Sequence, residues 1–418
     1  MGHTIAEKIL ARVSGRESVK AGDEVMAKPD YVIAYDFPGY TDVYFEQMKT
    51  EFGIDRVAEP DRFAIFIDHM VPAASPKEEE LHIGTRAWCA ENGVALYERR
   101  GIGHQVATEV GYAVPGAFVV HFDGHVSQMG TFGTLAMGIR RNLLEAFVRE
   151  RVSLKVPQTV RVNLEGTLPK GVMARDVFHH LVRIMGPASC RFQVLEIGGS
   201  GLAGISTEGL QVITGLAMFT GALTAIVNPE GERLAYALAR AKKTLVPVSS
   251  DPDADYSKVW TIDVSALEPV VVVPPTPAGT RDLSEFVGLE VQAGYLGSCA
   301  SGRLEDLRIA AEVLKGRTVK PGFQLNVVPT SQEIMAAAGR EGLLSIFAEA
   351  GAFVSSPSCD YCFGRIATMT AGQRAVSTGT LNVRGRMGHP DSEIYLCNAA
   401  TVAASAIEGM IADPRKYL

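Results

Sequence analysis

The strongest constraint on the fold is an alternation, along the whole chain, of short apolar runs with longer segments of helical periodicity. The apolar runs predict strands at residues 64–68, 117–122, 159–164, 192–197, 223–227, 291–296 and 324–329. A helix is predicted over residues 304–316, and another after Thr330, where Glu333 completes a capping-box pattern. Strands that alternate with helices pack as α/β layers with mainly parallel sheets. The predicted fold class is therefore α/β.

Two breaks divide the chain into three blocks. The segment RVSLKVPQTVRVNLEG separates the first block from the second near residue 155, and Pro274, Pro275 and Pro277 mark a linker before the third. A chain of 418 residues also exceeds what one simple hydrophobic core supports. We therefore predict domains at residues 1–155, 156–280 and 281–418.

Composition narrows the functional classes. The chain has a net charge of −7 without a cluster of Lys and Arg, so a nucleic-acid surface is not expected. No run of 18 apolar residues occurs, so no membrane span is expected. The segment MGHTIAEKILARVSG is typical of an amphipathic helix and lacks the apolar core of a signal peptide. Six scattered cysteines then indicate a reducing cytoplasm.

Three cysteines could act together. Cys359 and Cys362 form a C-x-x-C pair, and Cys299 lies where the strand at 291–296 gives way to a helix, whose free N–H groups are expected to favour its thiolate. Three thiolates from two loops can hold three irons of a cubane cluster, leaving a fourth iron to act as a Lewis acid. A zinc site with a further ligand and a redox pair stay open as alternatives, whereas a disulfide is not expected in a reducing compartment. The other cysteines are expected to be buried structural thiols: Cys89, Cys190 and Cys397.

Acidic and imidazole side chains follow apolar runs or glycine-rich turns in the first block. The motif IDHMVP contains Asp68 and His69, GIGHQ contains His104, and FDGH contains Asp123 and His125. Loops after strands often present catalytic groups, and a histidine oriented by an aspartate can protonate a leaving hydroxyl. Taken one at a time, such a histidine is more often a hydrogen-bonded structural residue.

These motifs, taken in order, resemble one known family. The third block contains GSCASGRLEDLRIAAEVLKGRTVKPG, VVPTSQ, IFAEAGA and SPSCDYCFG, and the first contains TIAEKILAR, IDHMVP, GIGHQ and GTFGTLAMGI. The pattern is similar to the aconitase superfamily, and within it to the large subunits of 3-isopropylmalate dehydratase and homoaconitase. The resemblance implies three α/β/α domains around a central [4Fe–4S] cluster, without the family's swivelling fourth domain.

The resemblance also implies roles for individual residues. The implied cluster ligands are Cys299, Cys359 and Cys362. The implied catalytic residues are Asp68, His69, His104, Asp123 and His125. Among these, Asp68 and His69 form the expected acid pair, and Asp123 is expected to orient His104. The implied substrate-binding residues are Arg303, Arg386 and Ser301.

The implied activity is that of a [4Fe–4S]-dependent hydro-lyase, which includes dehydratases, hydratases and isomerases. Its substrate is a small hydroxy acid whose hydroxyl is activated by the open iron. An alternative is a cluster-bearing binding or sensor protein that keeps the fold without the family's dehydratase activity.

Several positions depart from the family's pattern, and three of them bear most directly on the substrate. Gly124 stands where the family has a serine, Phe219 where it has a glutamate, and Leu381 where it has an arginine that clamps a substrate carboxylate. Leucine cannot form that two-pronged hydrogen bond, so the substrate is expected to differ from a standard isopropylmalate. A separate small subunit that supplies the swivelling domain, or self-assembly of the chain, is expected to cover the open cluster face.

Overall fold

The structure, a computed structural model, describes residues 2–418. Over these residues the strands are β1 (Glu24–Ala27), β2 (Tyr31–Tyr35), β3 (Phe63–Ile67), β4 (Ala95–Glu98), β5 (Phe118–His121), β6 (Leu135–Gly138), β7 (Val152–Lys155), β8 (Thr159–Glu165), β9 (Val194–Gly198), β10 (Thr224–Val227), β11 (Lys258–Asp263), β12 (Val270–Val272), β13 (Thr280–Asp282), β14 (Ala293–Leu296), β15 (Gln324–Val327), β16 (Phe353–Val354), β17 (Arg374–Ser377) and β18 (Glu393–Leu396).

Helices cover the sheets. The α-helices of the described residues are α1 (Ile5–Ser14), α2 (Thr41–Thr50), α3 (Pro76–Asn92), α4 (Gly103–Glu109), α5 (Leu143–Arg149), α6 (Ala174–Met185), α7 (Thr207–Gly215), α8 (Gly231–Arg240), α9 (Leu304–Leu314), α10 (Gln332–Arg340), α11 (Leu343–Glu349) and α12 (Ala399–Glu408). Short 3-10 helices occupy Pro60–Arg62, Gly124–Phe132, Arg140–Asn142, Ser200–Gly204, Ala217–Thr220, Leu283–Glu285, Asp360–Phe363 and Pro414–Lys416.

Three sheets contain most of the strands. The first has the order β4-β3-β2-β5-β6 and the second β10-β9-β8-β11, and both are parallel throughout. The third has the order β13-β12-β18-β17-β14-β15-β16, parallel from β18 to β16 and antiparallel between β12 and its neighbours. Strands β1 and β7 pair separately. The predicted α/β class with mainly parallel sheets is confirmed.

Every strand predicted from an apolar run is present, with its ends shifted by no more than two residues. Strands β3 and β9 are buried along their whole length, as expected for parallel strands that are covered on both faces. Strands β4 and β6 were not predicted, since each has only four residues and β4 is half-buried, which leaves little apolar signal. Strand β2, with the sequence YVIAY, was also missed.

One predicted helix start is wrong by a residue. Helix α10 is capped by Ser331, whose Oγ accepts the Ile334 N–H at 3.2 Å. The hydroxyl of Thr330 instead donates to the Ser301 carbonyl at 2.9 Å. Because the cap lies one residue later, Glu333 is too close to it to complete a capping box.

The division into three domains stays a prediction. The strands of the first sheet lie between residues 31 and 138, and those of the second between 159 and 263. The third sheet begins with β12 at Val270, ahead of the proposed boundary at 280, because β12 pairs with both β13 and β18.

Among residues 2–418, no helix combines the length and apolar character needed to cross a membrane.

A backbone contact joins the loop after β4 to the loop after β15. Gly101 pairs with Ser331 through an antiparallel bridge, and the Ile102 N–H donates to the Thr330 carbonyl at 2.9 Å. Gly101 has a φ of 118°, and a Cβ at this position would lie 2.5 Å from the Ser331 Cα. Only glycine permits so close an approach of two backbones. The first and third sheets are thereby held together next to their strand ends.

A second contact between these sheets is made by the buried carboxylate of Asp360. It accepts the N–H groups of Met70 at 2.7 Å and Val71 at 2.9 Å, both from the loop after β3. The Ser358 hydroxyl at 2.8 Å and the Arg365 guanidinium at 3.1 Å complete its set of donors. One carboxylate therefore fixes the C-x-x-C segment of the third sheet against the first sheet.

Replacing Asp360 tests this contact. The Asp360→Ala variant leaves one buried and one partly buried backbone N–H group, and the Arg365 guanidinium, without this acceptor, so we expect the free energy of unfolding to fall by about 3 kcal/mol. Urea unfolding followed by circular dichroism measures the loss. The matched control is Asp55→Ala, because Asp55 is exposed. A difference from wild type below about 1 kcal/mol would show that Asp360 does not hold the sheets together.

Candidate active site

A cavity of about 420 Å3 opens where the strand ends of the first and third sheets meet. Its walls contain all three predicted cluster thiols, all five predicted catalytic residues and Arg386. A larger cavity of about 770 Å3 lies elsewhere, and none of these groups lines it. Ligands of α/β proteins bind beyond the carboxyl ends of parallel strands, which is where the smaller cavity lies.

The three thiols come from two loops. Cys299 lies in the loop between β14 and α9, and it is 8% exposed. Cys359 precedes the 3-10 helix Asp360–Phe363, within which Cys362 donates its N–H to the Cys359 carbonyl at 3.0 Å. The Cys359 N–H in turn donates to the Asp68 carbonyl at 3.3 Å, so the C-x-x-C turn is tied to the end of β3. All six cysteines of the chain are free thiols.

Burial dominates the electrostatics of these thiols. It raises the pKa of Cys299 and of Cys359 well above the ordinary thiol value, and the nearby Cys362 raises both further. Burial also opposes ionisation of Cys362, but the Arg386 guanidinium, which donates to its Sγ at 3.3 Å, lowers its pKa to about 7. The prediction that a helix start favours the Cys299 thiolate is therefore wrong, because α9 begins only at Leu304 and burial outweighs it.

The donor set is suited to an iron–sulfur group. Cys362 raises the pKa of Cys299 and of Cys359 by charge repulsion, and Cys299 also raises that of Cys359, so the three sulfur atoms lie close enough to interact. Sulfur ligands select iron–sulfur clusters, zinc or copper(I), and a cluster spreads their charge over several metal ions. Within residues 2–418, no three His, Cys, Asp or Glu side chains converge tightly enough to hold a single metal ion. Three sulfur donors on the wall of one cavity fit an iron–sulfur group.

His69 and Asp68 form a close pair at the end of β3. The His69 Nδ1 lies 2.6 Å from one Asp68 oxygen, and the other oxygen accepts the Gly103 N–H at 2.7 Å. Burial disfavours the charged form of both groups, but their pairing lowers the pKa of Asp68 and raises that of His69. The His69 ring lies 4.9 Å from that of Tyr35 and 5.0 Å from that of Phe37, which fixes its orientation.

Asp123 lies between two histidines. One of its oxygens is 2.8 Å from the His125 Nδ1 and 3.6 Å from the His104 Nε2. Burial opposes ionisation of Asp123, but both histidines lower its pKa well below the ordinary value. The sequence predicted that Asp123 orients His104, whereas the shorter contact is to His125. The reason is local, because Asp123 caps the 3-10 helix that begins at Gly124 and accepts the His125 N–H at 2.6 Å.

His125 has an apolar neighbour on its far side. The Phe219 ring lies 6.0 Å from the His125 ring in an edge-on arrangement. The His125 Nε2 and the His104 Nδ1 are buried without a hydrogen-bond partner in the described chain. Two buried imidazole nitrogens therefore have no protein partner, and each unsatisfied group costs free energy.

Two residues of the site were missed by the sequence analysis. The Tyr35 ring lies 4.9 Å from both His69 and His121, and burial together with Asp123 raises its pKa far above the ordinary value. The Nδ1 of His121 accepts the Asp123 N–H at 2.8 Å, and burial and His104 lower the pKa of His121 to about 3. Tyr35 therefore stays protonated and His121 stays neutral. Both residues end parallel strands, and this position was the signal that could have identified them.

The predicted substrate-binding residues are not all brought to the cavity. Arg386 lines it, whereas Arg303 and Ser301 do not. The fully buried Arg303 guanidinium donates to the Gln105 side chain at 3.0 Å and to the Cys299 carbonyl at 2.8 Å. These contacts bind the Cys299 loop to α4, so in this geometry Arg303 supports the site from behind the cavity wall.

Buried thiols beside histidine–aspartate pairs are typical of enzymes that combine a sulfur-held metal group with acid–base catalysis. Comparison with known families agrees with this class. The family described as "Aconitase family (aconitate hydratase)" matches residues 7–409, and the chain belongs to the aconitase family. It is a hydro-lyase of this family, whose members carry a [4Fe–4S] cluster. The predicted resemblance and enzyme class are confirmed.

Individual relatives match over the full length. The chain is 38% identical to 3-isopropylmalate dehydratase large subunit 1 of Methanopyrus kandleri, over 100% of both chains. It is 37% identical to a probable 3-isopropylmalate dehydratase large subunit of Methanothermobacter thermautotrophicus, over 99% of both. It is 35% identical to a 3-isopropylmalate dehydratase large subunit of Aquifex aeolicus, over 99% of this chain and 97% of the relative.

The thiol pKa values lead to a titration experiment. In the metal-free chain, Cys362 should change from thiol to thiolate as pH rises through about 7, while Cys299 and Cys359 stay protonated to higher pH. The ultraviolet absorbance of thiolates reports this step. The Arg386→Gln variant should move the step to higher pH, because it removes the guanidinium next to Sγ. If the step near pH 7 persists in Cys362→Ser, it belongs to a group other than Cys362.

Proposed function

We propose that this chain is the large subunit of a [4Fe–4S]-dependent dehydratase or isomerase that acts on a small hydroxy acid. One observation carries the proposal: three thiols and the His69–Asp68 pair line a single cavity. The names of the relatives, 3-isopropylmalate dehydratase large subunits, support the type of reaction.

Cys299, Cys359 and Cys362 would hold the cluster. When bound, the cluster supplies a Lewis acid that accepts the substrate hydroxyl. A bound cationic cluster would offset the burial and the repulsion from Cys362 that raise the pKa values of Cys299 and Cys359. Arg386 stays beside Cys362 and adds a positive charge to this wall.

His69 is the proposed acid. Its Nδ1 is held by Asp68, and its Nε2 has no partner in the described chain. Burial opposes the charged form of His69, but Asp68 raises the pKa of His69 above its ordinary value, so the pair favours the imidazolium, which can protonate the departing oxygen from Nε2. Without such a proton the leaving group would be hydroxide.

Asp123, His104 and His125 are the proposed second acid–base group. Asp123 holds His125 at 2.8 Å, and the buried His125 Nε2 and His104 Nδ1 have no protein partner within residues 2–418. A substrate oxygen is the partner that we propose for one of these nitrogens, since an unpaired buried polar atom is costly and such atoms concentrate at functional sites.

The substrate differs from the isopropylmalate named in the relatives. Leu381 and Met218 give the cavity an apolar wall, and Leu381 stands where the resemblance expects a carboxylate-clamping arginine. Phe219 likewise offers His125 a ring edge instead of a carboxylate. These side chains suit a hydroxy acid that presents an apolar branch to this wall.

A separate small subunit is the proposed partner, and self-assembly is the alternative. The relatives are named as large subunits, which implies a second chain in those proteins. In this chain the half-buried rings of Phe37, Tyr40 and Phe363 line the cavity, so a partner would cover them and exclude water. We place the assembly in the reducing cytoplasm, where free thiols persist.

Cluster loading tests the ligand assignment. The anaerobically purified wild-type chain should contain about four irons and four sulfides, as one cubane cluster requires, and Cys359→Ser should lower both. Electron paramagnetic resonance after mild oxidation identifies the cluster type. Cys89→Ala is the control, because Cys89 lies in a hydrophobic core and not on the cavity wall. One zinc per chain, or iron that is unaffected by Cys359→Ser, would contradict the assignment.

His69→Gln tests the acid. Turnover of the best hydroxy acid from a screen, with the small subunit present, should fall about a hundredfold or more while the iron content is unchanged. Wild-type turnover should also decline as pH rises through the raised pKa of His69, since the imidazolium is the donor. His389→Gln is the control, because that side chain is about half exposed. Full turnover in His69→Gln would show that His69 is not the proton donor. Absence of turnover in every cluster-loaded form would favour a sensor or binding role.

A further inference from the structure

An arginine that the proposed mechanism does not use lies at the rim of the cavity. Arg140 follows β6, and its backbone N–H donates to the Phe122 carbonyl at 3.2 Å. The preceding Ile139 N–H donates to the His121 carbonyl at 2.8 Å. These bonds fix Arg140 next to the strand end from which Asp123 projects, and Arg140 lines the cavity together with that residue.

The backbone of Arg140 is held in an unusual conformation. Its φ is 49°, in the left-handed region that side chains other than glycine rarely adopt. Residues held in this region cluster at binding and catalytic sites, where the surrounding structure maintains them. The two hydrogen bonds to the end of β5 are the structure that maintains it here.

The guanidinium of Arg140 is free. It is exposed and makes no hydrogen bond or ion pair within the described residues. Arg140 and Arg386 are the only Lys or Arg residues on the wall of this cavity, as far as residues 2–418 are concerned. Arg386 is already bonded to the Cys362 sulfur, so Arg140 alone has its full set of donors available.

The other residues of the cavity wall supply no further free positive group. Leu381 lines the cavity and has no polar atom in its side chain. Asp68 and Asp123, the acidic residues of the cavity, are each paired with a histidine. An anion that enters the cavity therefore meets Arg140 as its first unpaired positive group.

We propose that Arg140 binds a second carboxylate of the substrate at the mouth of the cavity. A guanidinium matches a carboxylate with two parallel hydrogen bonds, which adds geometric selectivity to charge attraction. The inference rests on the proposed function and adds Arg140 to its substrate-binding residues, on a wall where Leu381 offers no arginine. One carboxylate lies deep, beside Arg386, the other lies at the rim, and an apolar branch faces Leu381 and Met218.

Two unreactive probes isolate this contact. Isopropylsuccinate has two carboxylates and an apolar branch, and isocaproate is the same skeleton with one carboxylate removed. Neither carries a hydroxyl, so neither can be dehydrated. Calorimetry on the anaerobically purified full chain measures the Kd of each probe for wild type, Arg140→Gln, Arg140→Lys and Arg141→Gln. Arg141 is the matched control, because it is exposed and does not line the cavity.

Wild type should bind isopropylsuccinate at least about tenfold more tightly than isocaproate. Arg140→Gln should abolish this preference, and Arg140→Lys should keep part of it, since lysine retains the charge and lacks the fork. Arg141→Gln should keep all of it. The proposal is overturned if wild type shows no preference, if Arg140→Gln retains it, or if Arg141→Gln loses it as well.

The outcome is separable from that of the proposed function. Binding of these probes requires no turnover, whereas the hydro-lyase proposal is tested by iron content and by His69→Gln. A preference that depends on Arg140 in a chain without dehydratase turnover would overturn the enzyme proposal and keep the carboxylate site. Turnover that depends on His69, without a preference for the dicarboxylate, would keep the enzyme proposal and overturn the carboxylate site at Arg140.

Discussion

The site depends on the carboxylate of Asp360. This side chain belongs to the C-x-x-C segment, yet it accepts N–H groups from Met70 and Val71 of the loop that follows the first sheet. It therefore sets the distance between His69 and Cys359, which come from different sheets. The Gly101–Ser331 bridge adds a backbone contact between the same sheets and needs glycine for its close approach. The position of the histidine–aspartate pairs relative to the thiols is thus a property of the contact between two sheets.

Burial of charge is the second constraint. Each aspartate of the cavity is paired with a histidine, and the Cys362 thiol is paired with Arg386. Arg386 also lowers the pKa values of the two remaining thiols, but burial outweighs this effect and raises them. A buried thiolate with little positive charge nearby is costly, and a cationic group in the cavity would offset this cost. This is the physical link between the donor set and a cluster.

The sequence was a good guide to fold class and a partial guide to the site. Alternating apolar and helical segments were sufficient for the strands they predicted, because parallel strands covered on both faces are continuous apolar runs. The half-buried β4 has no such run and was missed. Motif order identified the thiols and the histidine–aspartate pairs, and the structure brings them to one cavity. It also placed Arg303 among substrate-binding residues, although tertiary contacts hold that side chain behind the wall.

The sequence by itself determined the features that short local patterns encode. These are two cysteines on one turn, an aspartate beside a histidine, and apolar runs that must be buried. What only the tertiary structure decided is which of these groups meet. The roles of Tyr35, His121 and Arg140 follow from their places at strand ends and at the cavity rim, which no local pattern records. Side chains that act together here are brought together by sheet packing, and this depends on contacts between residues far apart in the chain.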